Sequence, residues 1–223
     1  MNTTEQKKLV LHNYFRSSSA YRVRIAMNLK GLDYDYVSVH LTRSGGEQFL
    51  DAFKNKLNPH ALVPVLDTGD ASLTQSLSII EYLEEVYPAH PLLPGSALDR
   101  AYVRQLSLAI ACEMHPLNNL RVLKYLSGPL GLSEDAKSQW IHNWLQLGLE
   151  ALEAEVAASP KRGQFCFGDT PTLADCCLVP QLFNARRFNV DLTPYPVLLE
   201  IDARCNQLDA FQRAHPGKQI DSE

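Results

Sequence analysis

The 223-residue sequence has no cysteine pair at CxxC spacing and no histidines at HxxxH or HExxH spacing. Its five cysteines, Cys112, Cys166, Cys176, Cys177 and Cys205, are odd in number, and two of them are adjacent in an apolar stretch. That excludes a disulfide framework and a dedicated metal centre as expectations, and casts Cys176 and Cys177 as small core residues. No apolar run approaches the roughly 20 residues of a membrane span. No basic excess exists either: 21 Lys and Arg against 25 Asp and Glu give a net charge of −4, so neither nucleic acid nor an anionic membrane is expected as a partner. The segment from Met1 to Lys8 is polar, and the apolar run after it is too short for an export leader, so the expected location is cytoplasmic. Internal repeats and low-complexity stretches are lacking as well.

What is present is an ordinary globular mixture, 45% hydrophobic and 21% charged, long enough for one large or two small domains. The apolar run from Lys8 to Tyr14 predicts a buried strand. Three serines, Ser17 to Ser19, precede Tyr21, Ile25 and Leu29 at i+4 spacing, which predicts a capped helix that stops at Gly31. Val37, Val39 and Leu41 alternate with polar residues as a strand would, and a polar helix is expected between Gly45-Gly46 and Lys56. Val63-Pro64-Val65-Leu66 predicts a strand with proline at its start. Asp67 to Asp70 predict a turn and Ala71 to Leu73 a returning strand. Gln75-Ser76 then opens a helix with Ile79, Ile80, Leu83 and Val86 on one face. The order is β-α-β-α-β-β-α.

After Pro88, Pro91, Pro94 and Gly95 the strand signals cease. Residues 97–127, 133–158, 172–187 and 196–209 carry helical periodicity, with Pro116 expected to bend or break the first. Thr172 and Asp175 have capping-box spacing. The expected domains are therefore residues 1–88 and 96–223, the second all-helical, joined by a linker at 89–95.

This arrangement, with Val-Pro before the third strand, resembles the glutathione transferase superfamily. Ser17-Ser-Ser-Ala-Tyr-Arg-Val-Arg-Ile-Ala-Met27 is similar to the zeta-class motif Ser-Ser-Cys-Ser-Trp-Arg-Val-Arg-Ile-Ala-Leu. Asn58-Pro59, Gln75-Ser76, Gly168-Asp169, Ala174-Asp175 and Val190-Asp-Leu-Thr-Pro-Tyr-Pro196 resemble the class too. The resemblance implies an α/β thioredoxin-like N-terminal domain, an all-α C-terminal domain, glutathione as cofactor and a homodimer. The class includes maleylacetoacetate isomerase, and bacterial maleylpyruvate isomerases are closely similar. One departure is plain: the motif's cysteine falls on Ser19.

The candidate catalytic group is Ser17, with Ser18 and Ser19 beside it. A hydroxyl donor and a helix N-terminus both favour a thiolate over a thiol; read alone, one of these serines would be a helix cap and nothing more. The resemblance implies a cis bond between Val63 and Pro64, with the Val63 backbone pairing with glutathione. Gln75 and Ser76 at a helix start suit an anion, which the resemblance implies is the γ-glutamyl carboxylate. Arg22, Gln48, His115, Asn119, Leu120 and Arg121 are further glutathione contacts on the same grounds; His115 beside Pro116 is equally well a core histidine at a kink. Arg24 is expected in a structural ion pair, and His12 and His142 as structural residues. Guanidinium groups bind carboxylates bidentately, and the resemblance implies that Arg16, Arg121 and Arg187 serve a small dicarboxylate substrate. The implied reaction is cis–trans isomerisation of maleylacetoacetate or maleylpyruvate by thiolate addition, rotation and elimination. Conjugation of glutathione to small electrophiles such as halogenated acids, and a non-catalytic glutathione-binding scaffold, are the alternatives.

Overall fold

The computed structural model describes residues 8–223. They form two compact units: one ends at Pro91 and takes back Asp209–Glu223, and the other is Leu92–Leu208.

The first unit is built on a four-stranded sheet of order β2-β1-β3-β4. Strand β1 (Leu9–Asn13) pairs in parallel with β2 (Tyr34–Ser38) and antiparallel with β3 (Val65–Asp67), and β4 (Ser72–Thr74) closes a hairpin on β3. Helix α1 (Ser18–Leu29) is the crossover between the parallel strands, and Gly31 takes φ +67° where the helix stops. A short α2 (Asp51–Lys54) and the longer α3 (Ser76–Val86) complete the βαβαββα order. The eight residues from Ala20 to Met27 are all buried, two arginines among them. Such a helix shows little amphipathicity because it is covered on several sides: α3 and the late helix α9 (Asp209–Ala214) both pack on it.

The second unit consists of α4 (Ala97–Leu108), α5 (Leu120–Ser127), α6 (Glu134–Ala158), α7 (Leu173–Arg187) and α8 (Pro196–Cys205). Its centre is α7, which packs on α4 and α8 and buries Leu173 to Leu182 without interruption. Thr172 and Asp175 form the expected capping box at its start. The Asp175 carboxylate accepts from the Thr172 N–H (2.7 Å), the Thr172 hydroxyl (2.9 Å) and the Cys166 N–H (2.9 Å). Burial pushes this carboxyl up, against the pull of those donors. Ser96 and Asp99 repeat the box at α4 in an exposed setting.

Several expectations are corrected. Strand β2 runs Tyr34–Ser38 instead of reaching Leu41; Tyr34, Tyr36 and Ser38 are half-buried and Val37 is exposed, while Val39, just past the strand, is buried. The polar helix after Gly46 shrinks to one short 3-10 turn, Glu47–Phe49, and the four residues of α2. The break expected at Pro116 in the 97–127 helix is present: a π turn at Ala109–Met114 is followed by a 3-10 turn at His115–Asn118 that contains Pro116, which cannot supply the N–H a continuous helix needs. Val86 is exposed. The last expected helix ends at Cys205, and residues 209–223 belong with the first unit rather than with the helical one. The physical reason is burial of Phe211 and Ala214, both fully covered, beside α1.

Two outcomes follow from this packing. Asp175→Ala leaves two buried N–H groups without an acceptor and should lower stability by about 3 kcal/mol, whereas the exposed Asp99→Ala should shift the urea midpoint far less; equal shifts would refute the burial argument. The second concerns His215, whose Nδ1 accepts from the Gly217 N–H (3.1 Å) and so must stay unprotonated. Burial first, then Arg24 and Lys218, hold its pKa below 6.5. A depressed native pKa means the unfolded chain takes up the proton first, so the stability is whole above 6.5 and is lost as pH falls through the native pKa. The melting temperature should drop between about pH 7 and pH 5, and less steeply in His215→Asn; His12, also depressed by burial, accounts for part of the remaining slope. An identical slope in the variant would remove His215 from the account.

Candidate functional site

Strand β1 ends at Asn13, and the chain turns through Tyr14–Arg16 into α1. The Ser17 N–H donates to the Tyr14 carbonyl (3.0 Å), and the Ser17 carbonyl accepts from Tyr21 (2.8 Å). Ser17 is the N-cap of α1, its Oγ accepting from the Ala20 N–H at 3.3 Å. The helix-capping role therefore does fall on one serine, and it is Ser17. Capping uses an oxygen lone pair and leaves the hydroxyl proton for an outside acceptor. Ser18 is buried and Ser19 half-buried in the first turn.

The turn is held by Arg24, fully buried two turns along the helix. Its Nη2 donates to the Phe15 carbonyl (2.8 Å) and its Nη1 to Asn13 Oδ1 (2.9 Å) and the Tyr14 carbonyl (3.4 Å). Its Nε donates to the Ala214 carbonyl (3.1 Å). The expected ion pair is thus replaced by uncharged acceptors, because this interior offers strand-end carbonyls that need donors. Arg16 is exposed; it donates to the Tyr14 hydroxyl (3.2 Å) and lies 5.4 Å over the Phe15 ring.

The peptide bond from Val63 to Pro64 is cis. Val63 packs with Tyr14, Phe15 and Phe53, and it precedes the paired part of β3, so its backbone edge is not used by the sheet. Asn58 shapes the approach: its Oδ1 accepts from the His60 N–H (3.0 Å) and its Nδ2 donates to the Leu62 carbonyl (2.7 Å). Asn58-Pro59 stood out in the sequence only by resemblance, without this role. Gln48 is buried; its Nε2 donates to the Leu41 carbonyl (3.4 Å), and its Oε1 has no partner in the protein. Gly46, at φ +116°, leaves room for that amide, since a Cβ there would lie 2.7 Å from it.

Gln75 sits at φ +69°, a left-handed backbone unusual for a residue with a side chain, and is exposed. It turns the chain into α3, where Ser76 is buried as the first helical residue. Arg22 Nη1 donates to Ser76 Oγ at 3.3 Å, both groups buried. A helix N-terminus, a hydroxyl and a guanidinium thus meet at one corner, which is the chemistry of a carboxylate site.

In the helical unit, His115 opens the 3-10 turn and is partly buried. Asn119 is the N-cap of α5, and its Oδ1 accepts from the Arg121 N–H (3.1 Å), so that oxygen is already engaged. Leu120 is the first residue of α5, half-buried, and Arg121 is exposed. Arg187 ends α7, exposed, with its guanidinium 4.5 Å over the Phe188 ring. His142 Nε2 bonds the Phe188 carbonyl (2.8 Å), in keeping with a structural role. Among the described residues no cluster suits a metal ion, and no helix is long and apolar enough to cross a membrane.

Residues 11–91 match the family model of the glutathione S-transferase N-terminal domain, and residues 141–213 that of the C-terminal domain. The chain is 53% identical to the maleylpyruvate isomerase of a Ralstonia species over 95% of its length and 99% of that protein's. The chain belongs to the zeta class of the glutathione transferase family. A solved holo maleylpyruvate isomerase, described as a bacterial zeta-class glutathione S-transferase, superposes with a TM-score of 0.92 at 52% identity, covering 96% of this chain and 100% of that one. A maleylacetoacetate isomerase from Methylobacterium extorquens AM1, solved with malonate and glutathione bound, superposes with a TM-score of 0.91 at 37% identity, covering 96% and 99%. Every candidate residue of the first unit from Arg16 to Ser76 lies within the N-terminal family match. His115, Asn119, Leu120 and Arg121 fall between the two family matches, where only the full-length relatives speak for them.

Proposed function

We infer that this zeta-class chain is a glutathione-dependent cis–trans isomerase of a maleyl dicarboxylic acid, maleylpyruvate or maleylacetoacetate. The observation that carries the reading is the end-to-end similarity to a maleylpyruvate isomerase, 53% over 212 residues. Glutathione fits the first unit on three features of the chain: the unpaired backbone edge at Val63, the orphan Oε1 of Gln48, and the cationic corner at Ser76.

Bound glutathione supplies a thiolate that adds to the cis double bond and departs after rotation, so it is regenerated. Ser17 donates its hydroxyl proton to the sulfur, and the N-terminus of α1 adds a positive potential there. The Val63 backbone holds the cysteinyl part as a strand partner. Ser76, the Gln75 turn and Arg22 hold the γ-glutamyl carboxylate. We assign Gln48, His115, Asn119, Leu120 and Arg121 to further glutathione contacts. Arg16, Arg121 and Arg187 are assigned to the substrate carboxylates and to the negative charge that develops beside them. A homodimer and a cytosolic setting are carried over as parts of the same proposal.

The test is turnover of each maleyl acid with and without glutathione. Trans product formed at constant thiol supports the isomerase, and the ratio of the two rates names the substrate. Stoichiometric loss of thiol would instead indicate conjugation. For Ser17, a hydrogen bond to a charged sulfur is worth about 1.5–3 kcal/mol, so Ser17→Ala should raise the bound thiol's pKa by about 1–2 units. Its turnover at neutral pH should fall correspondingly and recover at alkaline pH, while Ser17→Thr keeps most activity. A Ser17→Ala enzyme with an unchanged thiol pKa would remove Ser17 from catalysis.

A further inference from the structure

The turn that carries Ser17 is gripped from a second direction. The Phe15 N–H donates to Asp221 Oδ2 (3.2 Å), two residues before Ser17 and more than two hundred residues away in the chain. The same carboxylate is aimed by two hydroxyls of β2: Ser38 Oγ donates to Oδ2 (2.8 Å) and the Tyr36 hydroxyl donates to Oδ1 (2.5 Å). The Phe15 carbonyl is meanwhile held by Arg24, which also reaches back to the same C-terminal stretch through the Ala214 carbonyl. Both backbone polar groups of Phe15, two residues before Ser17, are therefore fixed, and the acceptor for its N–H comes from the C-terminal segment.

We propose that Asp221 is a positioning residue for the reaction: anchored on Tyr36 and Ser38, it locks the Phe15 amide and so sets the place of the Ser17 hydroxyl. This rests on the glutathione-dependent reading above. Asp221 touches neither glutathione nor substrate; it acts only through the turn. If the segment merely stabilised the fold, the bond to Phe15 could be lost with a drop in melting temperature and no change in sulfur chemistry. A carboxylate held by two hydroxyls on a neighbouring strand and aimed at a backbone N–H of the catalytic turn does more. Small displacements of a donor from a developing or resting charge are felt steeply.

The experiment compares the full-length wild-type chain with Asp221→Ala and with the double variant Tyr36→Phe/Ser38→Ala. The double variant keeps the carboxylate and removes the hydroxyls that aim it. The readouts are the ultraviolet titration of the bound glutathione thiolate, kcat and KM for a maleyl acid, and near-ultraviolet circular dichroism as a control for folding. Wild-type glutathione-dependent turnover comes first; its absence would sink the functional reading and this proposal with it, whereas turnover with unaltered variants sinks this proposal alone. Given turnover, both variants should raise the thiol's pKa by about half a unit to one unit and lower kcat at neutral pH by about 3- to 10-fold. KM for the maleyl acid should change little. A folded variant of either kind with wild-type thiol pKa and kcat, showing only a lower melting temperature, overturns the proposal.

Discussion

The buried guanidinium of Arg24 is the interaction on which the first unit depends. A charge taken out of water is costly unless its donors are used. Here they go to the carbonyls of Tyr14, Phe15 and Ala214 and to the Asn13 amide oxygen. Those acceptors exist because a strand has just ended: past Asn13 the β1 backbone leaves the sheet, yet it remains beneath α1 and away from solvent. Without this donor the turn would lose the partner of the Phe15 carbonyl, and the Asn13 amide oxygen and the Ala214 carbonyl would lose theirs. Lysine offers a point charge where a planar fork is needed. The same guanidinium pins the chain's return at Ala214, so one residue closes the Ser17 turn and docks the C-terminal segment.

Arg22 and Arg24 are two residues apart, roughly 200° around a helix. They point in opposed directions from α1, and each is buried at its own destination. Arg24 reaches the turn before Ser17, and Arg22 reaches Ser76 at the start of α3. In the proposed reading these are the places of the sulfur and of the γ-glutamyl carboxylate. On that reading one helix would hold both ends of glutathione through a single Arg-Val-Arg triplet, with the fully buried Val23 between the two arms. The letters of the triplet do not display that neither arginine is on the surface.

The order of elements was legible because each carries a local signal. Ser17 before the i+4 pattern marked the start of α1, Gly31 its end, and Thr172 with Asp175 the start of α7. What escaped was non-local. The alternation of Val37, Val39 and Leu41 marked a strand too late in the chain: β2 ends at Ser38, and its half-buried side is polar, with the Tyr36 and Ser38 hydroxyls donating to Asp221. Residues 209–223 read as more of the helical domain because nothing in Asp209–Ala214 says which helix will cover Phe211. The Arg24 clamp was mistaken for an ion pair because a sequence shows which residues are charged and never shows a strand-end carbonyl. In the site, Ser17 and the cis bond before Pro64 were reachable through the class motif, whereas Asn58 and Asp221 act on backbone groups and have no signature of their own.

The replacement of the motif's cysteine by Ser19 bears directly on where the reactive sulfur comes from. The first cysteine in the sequence is Cys112, so none lies anywhere near the turn in the chain's first unit, nor in residues 209–223. Cys166, Cys176, Cys177 and Cys205 are buried in the helical unit, and burial first of all pushes the thiols of Cys166 and Cys205 up, away from the thiolate form. What the turn does offer is a capping oxygen with its proton unspent, a second hydroxyl at Ser19 one turn-position on, and the positive end of α1. These groups stabilise a thiolate without being one. On the proposed reading the thiol arrives with glutathione, so the loss of the motif's cysteine removes nothing that the proposed mechanism requires.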